Sequence, residues 1–213
     1  MEGRIQYSAS DLKIEKLSKS EDLSFFSCGC KDLDLFFQKE IHLCVKYKYV
    51  SAYCVKDILD NSIVALFTLS HDSVLLSCDS EKNEFIEEVS DRINGEYQYI
   101  FEKQSSFPAI NIGHLAVLKE KQGKNIGKNI IDFIISTFID YNISGCQFIT
   151  VDSLNNPRTN KFYLKYGFIN QTNTDINKTT KKRLRKQMVT IQPPPTSTYG
   201  RPISFHAHVL SHS

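Results

Sequence analysis

Hydrophobic and polar positions along the chain follow two different periods, which together predict a mixture of short strands and amphipathic helices. Residues 49–56 and 62–69 are rich in β-forming side chains and flank a polar turn, so they predict an antiparallel hairpin. The apolar run 110–117 is too short for a buried helix and predicts an inner strand. Apolar residues then recur at helical spacing over residues 131–139, which predicts a helix with one apolar face.

Weaker patterns predict the other elements of the first half. Residues 10–17 alternate apolar and charged side chains, which favours a first strand. Phenylalanine, leucine and isoleucine recur at helical spacing from about Lys31 to Cys44, which predicts a helix there. Residues 71–76 are suited to extend the second hairpin strand. Residues 80–94 are polar with a single apolar stripe, which favours a surface helix or a long, partly ordered excursion.

The second half alternates strand and helix after the long apolar helix. Residues 147–151 form a short apolar run that is typical of a buried parallel strand. Pro157 suits the first position of a helix and Gly167 suits the residue after its end, so a helix is predicted between them. Further strands are predicted to begin at Phe168 and to cover residues 186–192. The order of elements predicts an α+β (mixed α/β) domain whose sheet is antiparallel at first and contains a parallel pair.

Composition narrows the class of protein. A hydrophobic fraction of 41% and a charged fraction of 23% are typical of a globular protein, and no apolar run reaches the roughly 18–20 residues that span a bilayer. The N-terminus has no basic-then-apolar signal segment. We therefore expect a cytoplasmic protein whose six cysteines are reduced. Cys28 and Cys30 are separated by one residue rather than two, so we expect no metal site.

The charge is unevenly distributed along the chain. Residues 171–213 hold seven of the 26 lysines and arginines but only one of the 24 aspartates and glutamates. The net charge of residues 1–170 is therefore −4. Two interpretations of the basic run remain open, a set of phosphate contacts and a solvated charged loop. The run comprises Lys178, Lys181, Lys182, Arg183, Arg185 and Lys186.

A segment with two glycines connects the predicted inner strand to the long helix, and it reads Gln122-Gly123-Lys124-Asn125-Ile126-Gly127. Glycines let a backbone approach a ligand closely, and a helix N-terminus presents N–H groups with a partial positive charge. The segment therefore predicts a cradle for a diphosphate, with an ordinary strand-turn-helix junction as the alternative. It is not a Walker loop, which requires Gly-Lys-Ser/Thr, and it lacks the Gly-x-Gly-x-x-Gly spacing.

The segment resembles the acyl-CoA loop of GNAT superfamily N-acetyltransferases, whose pattern is Gln/Arg-x-x-Gly-x-Gly/Ala. A second stretch resembles the later GNAT pattern Asn-x-x-Ala-x-x-Phe/Leu-Tyr-x-x-x-Gly-Phe. It consists of Asn156 and the run Phe162-Tyr163-Leu164-Lys165-Tyr166-Gly167-Phe168. Thr159 stands at the alanine position, and the distance between the two motifs fits a helix, a strand and a helix. The resemblance implies a GNAT-like fold, a central mixed, mainly antiparallel sheet flanked by helices. We assign residues 1–192 to one domain of this kind. From Pro193 onward the composition changes to proline, serine and histidine without apolar periodicity, which predicts a flexible tail over residues 193–213.

The resemblance also implies a reaction, the direct transfer of acetyl from acetyl-CoA to a primary amine in a ternary complex. Tyr163 is implied as the general acid for the CoA sulfur, with aromatic packing as the alternative role. Backbone N–H groups of the strand near Leu115, Ala116 and Val117 would polarise the thioester carbonyl. No carboxylate stands out as the base. The implied cofactor contacts are Asn156 and the backbone amides of Gln122, Gly123, Lys124, Asn125, Ile126, Gly127 and Lys128.

A narrower resemblance extends from about Leu23 to Phe168. Two segments resemble those of the toxin-type GNAT proteins. The first comprises Phe26-Ser27-Cys28-Gly29 and Leu33-Asp34-x-Phe36, and the second comprises Phe107-Pro108 and Gly113-His114-Leu115-Ala116-Val117. Those proteins acetylate the α-amino group of aminoacyl-tRNA and are neutralised by a small ribbon-helix-helix antitoxin. The resemblance therefore implies aminoacyl-tRNA as the acceptor and such an antitoxin as a partner, and it admits a homodimer.

Two departures bear on the acceptor. His114 stands where an arginine is usual in the toxin-type proteins, and the net charge of −4 over residues 1–170 differs from their basic surface. His114 is either a residue that tunes the amine or a strand histidine with a satisfied hydrogen bond. A small-molecule or protein amine is the alternative acceptor. A non-catalytic acyl-CoA-binding module is the alternative outside enzymes, and Tyr163 argues against it.

Overall fold

The computed structural model describes residues 6–76, 79–89, 95–139, 145–154, 156–170 and 181–187. Its strands are β1 (Leu12–Lys16), β2 (Ser51–Asp57), β3 (Ile63–Leu75), β4 (Ser106–Val117), β5 (Phe148–Leu154), β6 (Ile169–Asn170) and β7 (Lys181–Gln187). Its helices are α1 (Lys31–Leu35), α2 (Ile41–Lys46), α3 (Asp79–Val89), α4 (Gly95–Lys103), α5 (Ile126–Ile139) and α6 (Pro157–Lys165). A π-helical segment, Phe36–Glu40, joins α1 to α2, and short 3-10 turns cover Ala9–Asp11 and Lys119–Lys121.

The strands form one sheet in the order β1-β2-β3-β4-β5-β7-β6. β4 and β5 run parallel, and the other neighbouring strands run antiparallel. The prediction of a mixed, mainly antiparallel sheet with a parallel pair is therefore confirmed.

The two parallel strands separate partway along their length. They pair from Ala109 with Phe148 to Ile112 with Val151, and the ladder ends there although β4 continues to Val117. The register between β3 and β4 also shifts at this point, so that Gly113 is an extra residue in β4. Such a bulge bends and twists a strand, and a gap follows between the outer parts of β4 and β5.

Helices cover both faces of the sheet because strand side chains alternate between the faces. On one face, α5 contributes Ile130, Ile131 and Ile134 to a core that also contains Ile110 and Ile112 of β4. On the opposite face, the α1–α2 segment and the α3–α4 pair each bury aromatic side chains in a separate cluster. None of the helices in the described ranges has both the length and the hydropathy needed to cross a membrane.

Most predicted elements of the first half are present, with shifted ends. The hairpin is β2 and β3, and β3 extends through residues 71–75 as predicted. β4 begins at Ser106, four residues before the predicted start. The stretch predicted as a surface helix or excursion forms α3, but its Phe85 is buried against Phe101 of α4, a helix that the sequence pattern missed.

The last strand differs from the prediction in position. β7 begins at Lys181 and pairs with β5, so most of the basic run belongs to a strand rather than to a charged loop. Lys178, residues 188–192 of the predicted closing strand and the predicted tail 193–213 lie outside the described residues.

Candidate active site

A cavity of about 690 Å³ lies at the gap between β4 and β5. Its walls come from five parts of the chain: the outer half of β4, the loop that leads into α5 with the start of that helix, residues 151–153 of β5, the start and inner face of α6, and the segment that leads into α1 with the start of that helix. With the exception of Lys124, every residue predicted for the site lines this cavity: Leu115, Ala116, Val117, Gln122, Gly123, Asn125, Ile126, Gly127, Lys128, Asn156 and Tyr163.

The loop before α5 is shaped by the Gln122 side chain. Its amide nitrogen donates hydrogen bonds to the carbonyl oxygens of Cys28 at 2.7 Å and Val117 at 3.0 Å. Gly123 and Asn125 then adopt positive φ angles of 77° and 67°, a conformation that glycine and asparagine tolerate better than most residues. The chain enters α5 with the N–H of Asn129 bonded to the carbonyl of Asn125. The preceding amides therefore lie at the positive end of a helix dipole.

Backbone direction along β4 determines which N–H groups can polarise a ligand. The N–H of Leu118 donates to the Val64 carbonyl on β3 at 2.9 Å. Because successive residues of a strand direct their backbone groups to opposite edges, the N–H groups of Leu115 and Val117 point away from β3, towards the gap. The N–H of Ala116 points towards β3.

Tyr163 occupies the inner side of α6. Its side chain is 5% exposed, and its ring packs edge-on against Phe162 and Phe168 at centroid distances of 5.1 Å and 5.2 Å. Burial raises the pKa of the Tyr163 phenol. The hydroxyl therefore stays protonated over the ordinary pH range, which is the state that a general acid requires.

The two ends of α6 are fixed by local hydrogen bonds. The Asn156 side-chain oxygen accepts from the N–H of Thr159 at 2.8 Å, which is an N-cap contact, and Pro157 follows it. At the other end, Gly167 has φ +79° and the N–H of Phe168 returns to the Tyr163 carbonyl at 3.1 Å. Because the Asn156 oxygen is used by the cap, its amide N–H₂ is the group suited to reach a ligand.

The segment before α1 closes one side of the cavity. The Asp34 carboxylate accepts from the Ser27 hydroxyl and from the Cys28 N–H, each at 2.7 Å. The N–H of Lys119 donates to the Ser27 carbonyl, which ties this segment to the loop before α5. Burial raises the pKa of the Cys28 thiol to about 11, so this cysteine has little thiolate at neutral pH. The described cysteines are free thiols, and Cys78 lies outside the described residues.

His114 fits both interpretations left open by the sequence. Its ring stacks on Phe36 at a centroid distance of 3.7 Å, and its Nδ1 lies 3.3 Å from the Thr68 hydroxyl oxygen. Its backbone N–H donates to the same oxygen at 3.0 Å. His114 is thus a hydrogen-bonded strand histidine that also forms part of the cavity wall.

Two carboxylates that the sequence did not single out also line the cavity, Asp32 and Asp152. Asp152 directly follows Val151, the last β5 residue paired with β4. The only available signal was its position at the carboxyl end of a parallel strand, where ligands of α/β sheets bind. The lysines and arginine of the cavity wall belong to the loop before α5 and to helices α5 and α6: Lys121, Lys128, Arg158 and Lys165.

One group of metal-type ligands occurs within the described ranges, away from the cavity. Side-chain ligand atoms of Glu15, Glu21 and Cys54 lie within 4.8 Å of one another. The Lys56 ammonium contacts both carboxylates, at 2.7 Å from a Glu15 oxygen. A lysine therefore already balances the negative charge of this group.

Known proteins share the fold of this chain. Residues 81–170 match the family model of the acetyltransferase (GNAT) domain. No curated protein matches the sequence. The structure of a mutant AtaT toxin bound to the C-terminus of the antitoxin AtaR and acetyl-CoA is similar, with a TM-score of 0.61 and 19% identity over 84% of this chain and 94% of that chain.

Two further solved structures are similar over a comparable length. A KacT mutant gives a TM-score of 0.62 at 18% identity, over 84% of this chain and 95% of that chain. AtaT complexed with acetyl-methionyl-tRNAfMet gives a TM-score of 0.58 at 19% identity, over 81% and 94%. The solved structures share the fold of this chain, and residues 81–170 are similar to an acetyltransferase (GNAT) domain.

Proposed function

We propose that the protein transfers the acetyl group of acetyl-CoA to a primary amine by direct attack within a ternary complex. The observation that carries this proposal is the single cavity that reaches both the loop before α5 and the buried Tyr163. A thioester carrier needs an anion site and an acid for its sulfur at the two ends of one channel. The solved structures of AtaT with acetyl-CoA have the same fold.

The residues present fit acetyl-CoA. Backbone amides of residues 122–128 would bind the diphosphate at the N-terminus of α5. The gap between β4 and β5 would hold the pantetheine arm, with the N–H of Leu115 directed at the thioester oxygen. Asn156 would donate from its amide N–H₂ to the same arm.

The chemical step then uses few groups of the protein. The neutral amine nitrogen forms a bond to the thioester carbon, whose oxygen gains negative charge and accepts from the Leu115 N–H. The carbon–sulfur bond breaks, the sulfur takes the electron pair, and the Tyr163 hydroxyl donates its proton to that sulfur. The proton lost by the amine leaves through solvent, and the tyrosine is reprotonated from solvent.

The α-amino group of aminoacyl-tRNA is the leading acceptor. Two observations support it: the narrower sequence resemblance from Leu23 to Phe168, and the shared fold with AtaT complexed with acetyl-methionyl-tRNAfMet. The segment before α1, which carries part of that resemblance, is hydrogen-bonded into the cavity wall through Asp34. A ribbon-helix-helix antitoxin is the corresponding protein partner.

A small-molecule or protein amine is the second candidate acceptor. It is favoured by the negative charge of residues 1–170 and by Asp32 and Asp152 in the cavity wall. Carboxylates attract an ammonium group and repel the phosphates of a nucleic acid.

Labelled acetyl-CoA distinguishes the two acceptors. The protein is incubated with total charged tRNA, with deacylated tRNA and, separately, with polyamines and a lysine-containing peptide, and the products are identified by mass spectrometry. Acetyl-aminoacyl ends on charged tRNA, with deacylated tRNA unmodified, support the leading acceptor. Acetylated polyamine or peptide with unmodified charged tRNA supports the second. No product with any amine, while acetyl-CoA still binds, identifies a non-catalytic binding module and contradicts the proposal.

A further inference from the structure

Tyr7 connects the N-terminal segment to the loop before α5 through its backbone and its side chain. Its N–H donates to the Lys124 carbonyl at 3.0 Å, and its own carbonyl accepts from the Asn129 side chain at 3.0 Å. The side chain is 3% exposed, and its hydroxyl donates to the Asp57 carboxylate at 2.8 Å. Tyr7 therefore fixes both sides of the turn that enters α5.

The Tyr7 hydroxyl also accepts a hydrogen bond from the Lys121 ammonium at 3.1 Å. The contacts run in one direction, from Lys121 to Tyr7 and from Tyr7 to Asp57, and Asp57 is 4% exposed. Lys121 lies immediately before Gln122 and lines the cavity. An ammonium has three N–H donors and this contact uses one of them.

A neutral phenol between the lysine and the carboxylate has an electrostatic consequence. Burial raises the pKa of Tyr7, so the phenol stays neutral. The hydrogen bond to Tyr7 raises the pKa of Lys121, so the ammonium stays charged. A direct Lys121–Asp57 ion pair would cancel the lysine charge, whereas the phenol holds the ammonium in place and separates it from the carboxylate.

We propose that Tyr7 is a positioning residue, which holds the Lys121 ammonium at the edge of the cavity, where this ammonium binds the diphosphate of the thioester carrier. The inference rests on the proposed use of acetyl-CoA. Diphosphate is the chemistry indicated because Lys121 directly precedes residues 122–128, all of which except Lys124 line the same cavity. The Tyr7 backbone contacts keep the lysine and those amides in a fixed relationship.

Calorimetric titration of the full chain tests the inference. Lys121→Gln should raise the Kd of acetyl-CoA about tenfold, and Tyr7→Phe, which keeps the ring and both backbone contacts, about threefold. Because Tyr7 acts through Lys121, the double variant should bind like Lys121→Gln alone. S-acetylpantetheine, which has no phosphate, should bind wild type and Lys121→Gln equally, and 3′-dephospho-CoA should show the same loss as acetyl-CoA.

Matched controls separate a positioning role from a structural one. Tyr53→Phe and Lys46→Gln, whose side chains do not line the cavity, should leave the Kd of acetyl-CoA unchanged. Wild-type affinity in Lys121→Gln, or additive losses in the double variant, overturns the inference while leaving the proposed function intact. A loss confined to carriers with a 3′-phosphate overturns the diphosphate assignment. Wild-type protein that binds no acetyl-CoA overturns both. If Tyr7→Phe lowers the melting temperature, the titrations of Lys121→Gln with S-acetylpantetheine and 3′-dephospho-CoA still test the inference.

Discussion

Gly127 and Phe162 join the two motifs of the site in space. A Cβ atom built on Gly127 would lie 3.0 Å from Cζ and 3.2 Å from Cε2 of Phe162. Gly127 is the second residue of α5, and Phe162 precedes Tyr163 on α6. The absence of a side chain at Gly127 therefore lets α6 approach the start of α5, which sets the position of Tyr163 relative to the loop.

Gly127→Ala should lower the free energy of unfolding by about 1 kcal/mol, because overpacking against Phe162 outweighs the small helix preference of alanine. The Kd of acetyl-CoA should rise with it. Urea unfolding measures the first effect and calorimetry the second. Gly145→Ala is the control, since nothing lies within 4 Å of a Cβ there, and it should change the free energy by less than about 0.5 kcal/mol. Equal stabilities of the two variants would contradict the packing argument.

Tyr163→Phe should lower the acetylation rate roughly 10²-fold while acetyl-CoA binding is retained. Phenylalanine keeps the ring contacts with Phe162 and Phe168 and removes only the proton donor. Steady-state rates with the acceptor found by mass spectrometry provide the measurement, and Tyr53→Phe is the matched control. An unchanged rate would remove the acid role.

The pH profile provides a separate test of the same tyrosine. Since burial raises the pKa of Tyr163, its acid form persists to higher pH than an ordinary phenol, whose pKa is about 10. We expect that the wild-type rate does not fall with rising pH below about pH 10 through loss of the Tyr163 proton. A fall of that kind would be absent from Tyr163→Phe. Such a fall near pH 8 would show that the acid has a lower pKa than a buried tyrosine.

Gln122→Ala should weaken acetyl-CoA binding several-fold, because the loop loses its hydrogen bonds to Cys28 and Val117. Gln98→Ala, on the exposed side of α4, is the control for loss of a glutamine amide contact. The Kd of acetyl-CoA is compared for both variants. If the two bind equally well, the side chain of Gln122 has no part in forming the cradle.

Lys56→Met should lower the free energy of unfolding by about 2 kcal/mol at pH 7, because Glu15 and Glu21 lose a shared, largely buried cation. Lys13→Met, an exposed partner of Glu15, should cost less than about 0.5 kcal/mol.

The cost of Lys56→Met should also depend on pH. Hydrogen bonds from Lys13 and then Lys56 lower the pKa of Glu15, whose ordinary value is 4.5. The stabilisation from the Lys56–Glu15 contact is therefore complete above about pH 4.5, the ordinary pKa of Glu15. It is lost as the pH falls through the lower pKa that Glu15 has in the folded protein. Urea unfolding from pH 7 to pH 3 measures the difference between wild type and variant, and a difference that grows in acid would contradict this account.

Local patterns predicted the parts of the fold that depend on local physics. The β4 strand, α5 and α6 follow from apolar periodicity and from Pro157 and Gly167 at the ends of α6. The sequence pattern missed α4 because Tyr97, Tyr99 and Ile100 interrupt its polar residues without a clear stripe. In the structure Phe101 of that helix is buried in the core and Tyr97 packs against the same cluster.

Features that depend on distant partners were not predictable in this way. The bulge at Gly113 is defined by the register with β3, which no local pattern encodes. Tyr7 lies in a polar N-terminal stretch, and its hydroxyl partners are Asp57 and Lys121, 50 and 114 residues away. The sequence pattern predicts that the loop glycines make room for a ligand. In the structure Gly127 also makes room for Phe162.

The loop before α5 is expected to bind the diphosphate of acetyl-CoA beside Tyr163, and a crystal structure of the complex shows whether it does. We predict diphosphate oxygens within about 2.7–3.2 Å of backbone nitrogens of residues 122–128, and the thioester between the Leu115 N–H and the Tyr163 hydroxyl. Diphosphate bound elsewhere on the protein, or a thioester outside the gap between β4 and β5, would contradict the account.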